Sequence, residues 1–170
     1  MRRIGAWLGL CLGLSACLPA QDGPAPPAQG FRTAQGEITS IALFSPARAS
    51  GDWVELARFA APGEAGCRFC RFSLSAQRGG LVLQPKGGSL SLLRPSGPGR
   101  MLPKGQANGD EWWVLWVDAD YRTMVVGTPS GSMGYVFNRP GGISADRRKI
   151  ARDVLGWAGY DGARLLWHDG

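Results

Sequence analysis

The stretch Trp112-Trp113-Val114-Leu115-Trp116-Val117-Asp118-Ala119-Asp120-Tyr121-Arg122-Thr123-Met124-Val125-Val126-Gly127-Thr128-Pro129-Ser130-Gly131-Ser132-Met133-Gly134-Tyr135-Val136-Phe137-Asn138 decides the fold class. It holds three short runs rich in aromatic and β-branched residues: Trp112 to Val117, Tyr121 to Val126 and Met133 to Asn138. Such runs fit a pleated, half-buried surface. Ala119-Asp120 and Thr128 to Ser132 separate them, lengths that suit hairpin turns. Three strands joined by two hairpins are antiparallel, because a parallel neighbour needs a crossover of a dozen or more residues.

The same rhythm extends upstream. Trp53 to Phe59 reads as the first strand and Cys67 to Ser75 as the second. Gln77-Arg78-Gly79-Gly80 turns into a third, Leu81 to Gln84. Ser89 to Leu93 and Arg100 to Leu102 are shorter, with Pro95-Ser96-Gly97-Pro98-Gly99 between them. Downstream the period changes. Ile150, Ala151, Val154, Leu155 and Ala158 form one helical stripe, with Ser144 as N-cap, Asp146 in the first turn and Gly159 as the stop. Ala163 to Trp167 is a last strand. Seven or eight strands linked as successive hairpins, with one late helix, predict an all-β, antiparallel up-and-down barrel carrying a C-terminal α-helix.

Composition agrees with one domain plus tails. Of 170 residues, 44% are hydrophobic and 19% charged, enough apolar material for a core. Gly and Pro number 26 and 12 and recur between short apolar runs, as expected of many turns. One His rules out a three-His zinc site, and no metal site or cofactor is expected. No Ser, Cys or Lys stands in a recognisable nucleophile setting, and no glycine-rich phosphate loop exists, so the chain does not read as an enzyme.

The N-terminus reads as an address. Arg2-Arg3 precedes an apolar segment from Ile4 to Leu14, ending in Leu14-Ser15-Ala16-Cys17. This is a signal peptide over 1–16, too short to span as an anchor. Its end resembles the bacterial lipobox, which implies cleavage after Ala16 and acylation of Cys17. Leu18 in place of Asp implies sorting to the outer membrane, facing the periplasm. Loss of 1–16 leaves 17 basic against 13 acidic side chains, a mild excess. With no Lys/Arg block, nucleic acid is not an expected partner. Residues 17–36, rich in Pro, Ala, Gln and Gly, predict a disordered tether, and 37–170 the domain.

Three segments carry a family resemblance. Gly51-Asp52-Trp53-Val54-Glu55-Leu56-Ala57-Arg58-Phe59 resembles the lipocalin opening signature, Gly-x-Trp followed by an acid and an apolar-Ala pair. Trp113 to Arg122 resembles the second signature, an apolar strand that turns through Asp-Tyr, and Met133 to Asn138 followed by Arg139-Pro140 resembles the third. All occur in order between Phe44 and Trp167. The chain is thus similar to the bacterial outer-membrane lipoprotein lipocalins, themselves similar to apolipoprotein D. The resemblance implies an eight-stranded cup for one small ligand, with Trp53 plugging the closed end beneath Arg139 as structural residues. It also implies inward-facing candidate ligand contacts: Glu55, Ala57, Trp112, Val114, Trp116, Thr123, Val125, Tyr135 and Phe137, with Met133 also turned inward. Between Leu81 and Glu111 the chain is shorter than the family usually is, so the middle strands should be short or irregular.

Two features stand outside that pattern. Cys67-Arg68-Phe69-Cys70 is a CxxC. It could close a disulfide, carry two free thiols, or serve redox or metal chemistry. On a straight strand its ends lie roughly 10 Å apart, so a disulfide requires a bulge or turn at Arg68-Phe69. Glu55, if inward, is an acid in an apolar cup. It either orients a ligand or is paired to an Arg or to backbone. Asp118 and Asp120 read as turn formers, and His168 as an exposed tail residue.

The expected function is therefore a membrane-anchored lipocalin that binds a fatty acid, lysophospholipid or similar hydrophobic ligand for envelope lipid storage or transport. The alternative is a structural or interaction lipoprotein whose barrel is filled by its own Trp and Phe side chains. An apolar cavity near 300 Å³ or more favours the first; a cup plugged by Trp112 and Trp116 favours the second.

Overall fold

The computed structural model describes residues 30–33, 37–104 and 110–168. Eight antiparallel strands close into a barrel: β1 Gly51–Phe59, β2 Arg71–Gln77, β3 Gly80–Pro85, β4 Ser91–Gly97, β5 Arg100–Pro103, β6 Trp112–Val117, β7 Thr123–Gly127 and β8 Gly134–Asn138. Each pairs with its neighbour in sequence, and β8 returns to β1. A ninth strand, β9 Leu165–Trp167, pairs with the end of β1 beyond its contact with β2, so that edge too is covered. Among the described residues the thinnest seam is β5–β6, paired through Arg100–Trp113 and Met101–Trp112, in the region where short strands were expected.

Helix α1 Pro46–Ala49 crosses one end of the barrel, and α2 Ala145–Trp157 lies on its outer wall. Ser144 caps α2 by accepting the backbone N–H of Arg147, and Gly159, at φ +83°, ends it. The β2–β3 turn needs glycine at Gly80, where φ is +152° and a Cβ would run into the carbonyl of Leu93.

Two hydrophobic cores result. The barrel interior holds Trp53, Phe72, Leu74, Leu81, Leu83, Leu93, Met101, Trp112, Val114, Met124, Val126, Tyr135 and Phe137. The second core joins the outer wall to α2 through Ala57, Val125, Val136, Ala151, Leu155 and Tyr160, with Leu115 and Trp116 packed against it.

These cores correct four expected orientations. Ala57 and Trp116 belong to the outer core because a β-bulge interrupts each strand just before them, between Glu55 and Ala57 and between Val114 and Trp116. One extra residue sends every following side chain to the opposite face. Val125 is also in the outer core, and Thr123 shares its side of β7, opposite the inward Met124. There the turn is longer than expected. Tyr121 has φ +55°, and Asp118 accepts the backbone N–H groups of both Arg122 and Thr123. Extended pairing therefore begins at Thr123, and the phase counted from Tyr121 is off by one.

Cys17 and residues 1–29 lie outside the described residues. Within the expected tether, Phe31 packs tilted against Phe59, ring centres 5.5 Å apart, and Thr33 donates to the carbonyl of Gly159. Residues 30–33 thus make contacts with the barrel.

Candidate ligand-binding site

The floor is built first. The indole N–H of Trp53 donates to the carbonyl of Ala49 at 2.8 Å, tying β1 to α1. The guanidinium of Arg139 lies 4.0 Å from the centre of the Trp53 ring, a cation–π arrangement. Arg139 also donates to the carbonyls of Tyr121, Asp52, Arg48 and Ser50, so one side chain binds the ends of three segments. Ser45, before α1, donates its backbone N–H to the Tyr121 hydroxyl.

Above the floor the interior is aromatic. Tyr135 and Phe137, two apart on β8, stack 5.3 Å apart at 11°. Trp112 on β6 faces both, 5.9 Å from Tyr135 and 6.2 Å from Phe137. Phe72 meets Phe137 edge-on at 4.8 Å. Burial pushes the Tyr135 phenol up to about 12, since a dry surround disfavours phenolate; the nearby Arg68 opposes this in part. Tyr160, buried in the outer core, is raised for the same reason.

At the other end, the mouth, a loop enters the cup. Phe69 presents its edge to Tyr135 at 5.3 Å, Trp112 at 5.5 Å and Phe137 at 6.1 Å. This loop is where β2 was expected to begin; instead β2 starts at Arg71, and Cys70 takes φ +50°. The reversal brings the Cα atoms of Cys67 and Cys70 to 4.9 Å, and the two are joined in a disulfide.

Glu55 holds the loop from below. Its carboxylate accepts the backbone N–H of Phe69 at 2.7 Å and that of Arg68 at 3.0 Å, while its own N–H donates to the Cys70 carbonyl. His168 Nε2 lies 3.3 Å from the same carboxylate and Arg58 Nε 3.9 Å. Arg58 in turn bonds Glu64, whose carboxyl it holds below the ordinary range. Of the two readings of Glu55, backbone and Arg pairing describes these contacts. His168 is not an exposed tail residue: its backbone N–H donates to Leu56 and its ring is largely covered.

Trp112, Val114, Tyr135 and Phe137 thus lie together inside the barrel; Met133 packs against that core, and Ala57, Trp116, Thr123 and Val125 do not line it. Phe69 and Phe72 complete the cluster and were not singled out from the sequence. The signal was the aromatic residue between two cysteines, hidden by the expectation of a regular strand there. The space left at the mouth is about 180 Å³, bounded by Arg68, Phe69, Leu83, Ser91, Leu93, Pro103, Trp112 and Met133. A larger cleft of about 430 Å³ lies outside the barrel wall, by Arg71, Arg148 and His168.

Residues 100–169 match the family model of the Lipocalin-like domain. Among solved structures, insecticyanin from the tobacco hornworm Manduca sexta superposes with a TM-score of 0.57, at 12% identity, over 83% of this chain and 87% of that one. This is a lipocalin fold. The major allergen Per a 4 from cockroaches gives a TM-score of 0.54 at 14% identity, covering 77% of this chain and 91% of its own. Lobster apocrustacyanin A1 gives 0.52 at 16% identity, covering 71% of this chain and 76% of its own. No curated protein matches the chain in sequence. At these identities the likeness is one of fold, the closed barrel with its C-terminal helix. The Cys67–Cys70 loop is described from this chain alone.

Proposed function

We propose that this lipocalin is anchored through Cys17 to a bacterial outer membrane, facing the periplasm. There it binds a fatty acid, a lysophospholipid or a similar amphiphile, for storage or transport of envelope lipids. The observation that carries the binding reading is the origin of the plug. Strand side chains line a largely apolar cup, while the ring that closes it, Phe69, comes from a loop. A loop can swing aside without unpairing the barrel. The apolar end of the ligand would then lie along Trp112, Val114, Tyr135 and Phe137, and its polar head would stay at the rim, where no charge need be buried. Each buried methylene contributes roughly 0.8 kcal/mol, so eight to ten of them support about micromolar affinity after association costs. The anchor rests on the lipobox in the sequence. No catalysis, cofactor or nucleic acid enters this reading.

The filled-barrel reading is favoured by one observation: the cavity left at the mouth, about 180 Å³, falls below the range of roughly 300–1,000 Å³ typical of ligand pockets. Titration decides between them. Residues 17–170 carrying Cys17→Ser, titrated with fatty acids and lysophospholipids, should show a saturable change in tryptophan emission below about 100 μM. Phe69→Ala should tighten binding by about tenfold or more, as the ring no longer has to be displaced, equivalent to roughly 1.4 kcal/mol. No saturable signal in either folded protein would leave the filled barrel as the better account.

A further inference from the structure

The exposed apolar side chains are not spread evenly. In an up-and-down barrel the connections alternate between ends, so segments 60–70, 86–90 and 128–133, together with Lys104 and residues 110–111, all lie at the mouth. Leu90, 64% exposed, is on one of these connections, and Leu102, 36% exposed, is next to the end of β5 that leads into another. Trp157, 77% exposed, is the last residue of α2, and that helix ends at the mouth: the carbonyl of Ala158 and that of Pro129, in the β7–β8 turn, both accept from Arg32. Of the other large exposed apolar residues, Ile150 is midway along α2 and Leu43 is toward the floor.

The N-terminal segment reaches the domain at the same end. Phe31 donates its backbone N–H to Gly131 and accepts from Asp161, and Arg164 donates to the carbonyl of Gly30. Cys17 precedes Gly30 by thirteen residues, which even fully extended span at most about 45 Å. An acyl group on Cys17 is therefore tethered to the domain at its mouth end.

Charge agrees. Arg68, Lys86, Lys104 and Arg164 are exposed around the mouth. The exposed acids among the described residues there, Glu64 and Asp161, are bonded to Arg58 and to the backbone of Ala163. Asp110 and Glu111 are half-buried, bonded to Ser130 and Ser132 and to Trp113. Of these acids only Glu64 is paired with a cation, so Arg58, Arg68, Lys86, Lys104 and Arg164 against Glu64, Asp110, Glu111 and Asp161 leave a small positive excess. Such a rim with a protruding Trp and Leu suits an anionic phospholipid surface, with Trp at headgroup depth and Lys/Arg at the phosphates.

We infer that the mouth of the barrel, through Trp157, Leu90 and Leu102 with Arg68, Lys86, Lys104 and Arg164, docks onto the phospholipid surface, so that the cup opens directly toward the bilayer. This inference rests on the lipid-anchor reading above. Its test uses the full mature, acylated chain and vesicles of phosphatidylethanolamine and phosphatidylglycerol with brominated acyl chains. Bromine quenches tryptophan that reaches the bilayer. The wild type should be quenched, and Trp157→Phe, which keeps the apolar contact, should lose at least half of that quenching. Hydrogen exchange of the bound protein should slow at least threefold at 86–90, at the mouth, and remain unchanged at Arg78 and Gly79, at the floor. A chain that does not bind the vesicles overturns the anchor reading and this inference with it. A chain that binds, but with equal quenching in Trp157→Phe or with protection at Arg78 and Gly79 instead, overturns the docking alone.

Discussion

At the floor of the barrel Trp53 is held by strands: its indole bonds α1, and Arg139, stacked on it, gathers four carbonyls. At the mouth Phe69 is held by a short loop, through one disulfide and one carboxylate. Both rings close the same cup, yet they differ in what must break to free them. Moving Trp53 means unpairing β1, which carries β2, β8 and β9. Moving Phe69 means giving up its ring contacts and the N–H bonds to Glu55. An end built from ladder hydrogen bonds is a foundation, whereas an end built from a crosslinked loop can open within the native state.

The largest expected effect tests the foundation. Trp53→Ala should destabilise the protein by about 3–5 kcal/mol, as large-to-small core changes do, read as a shift in the urea midpoint at unchanged slope. A loss below about 1 kcal/mol, outside that range, would make the floor no firmer than the mouth and erase the contrast.

A smaller effect is expected at the mouth. Reducing Cys67–Cys70 with a dithiol frees a loop of four residues, for which chain entropy gives about 2 kcal/mol of lost stability. The contrast is sharper in exchange than in stability. Reduction should speed amide exchange at Arg68 and Phe69, whose N–H groups lie on Glu55, and leave the backbone around Trp53 protected. Uniform acceleration would mean that the two ends open as one unit.

The difference between the ends is also a difference in what the sequence reveals. Trp53 and Arg139 stand in signature segments, and Ser144 caps α2 through chemistry contained in four residues. These are legible because their partners are specified locally or by a shared pattern. Ala57, Trp116, Thr123 and Val125 were assigned to the wrong face because two bulges and an extended turn each shift the phase by one, and no residue in those runs announces the shift. Phe69 was missed for a related reason. Its inward turn depends on Glu55, fourteen positions away, supplying a carboxylate to two backbone N–H groups. A sequence shows that Glu55 exists; only the closed barrel shows what it faces.

The smallest expected effect reads the seal itself. Tyr135 lies beneath Phe69, and burial raises its phenol from 10.0 to about 12. The folded state therefore holds this proton more tightly than the unfolded chain does. The stabilising contribution is complete below the unfolded value of 10 and falls away as pH rises toward 12. Near pH 11, one unit above the unfolded value, the loss is about 1.4 kcal/mol. Tyr135→Phe should flatten that alkaline decline without abolishing it, because Tyr160 is raised as well and remains. The phenolate absorbance that Tyr135→Phe removes marks where this group titrates. If Phe69 keeps the cup dry, reduction of the disulfide should admit water and move that titration from about 12 back toward 10 while the barrel stays folded. A titration that does not move on reduction would mean that the stacked rings of Trp112, Tyr135 and Phe137 exclude water on their own. The mouth would then be as fixed as the floor.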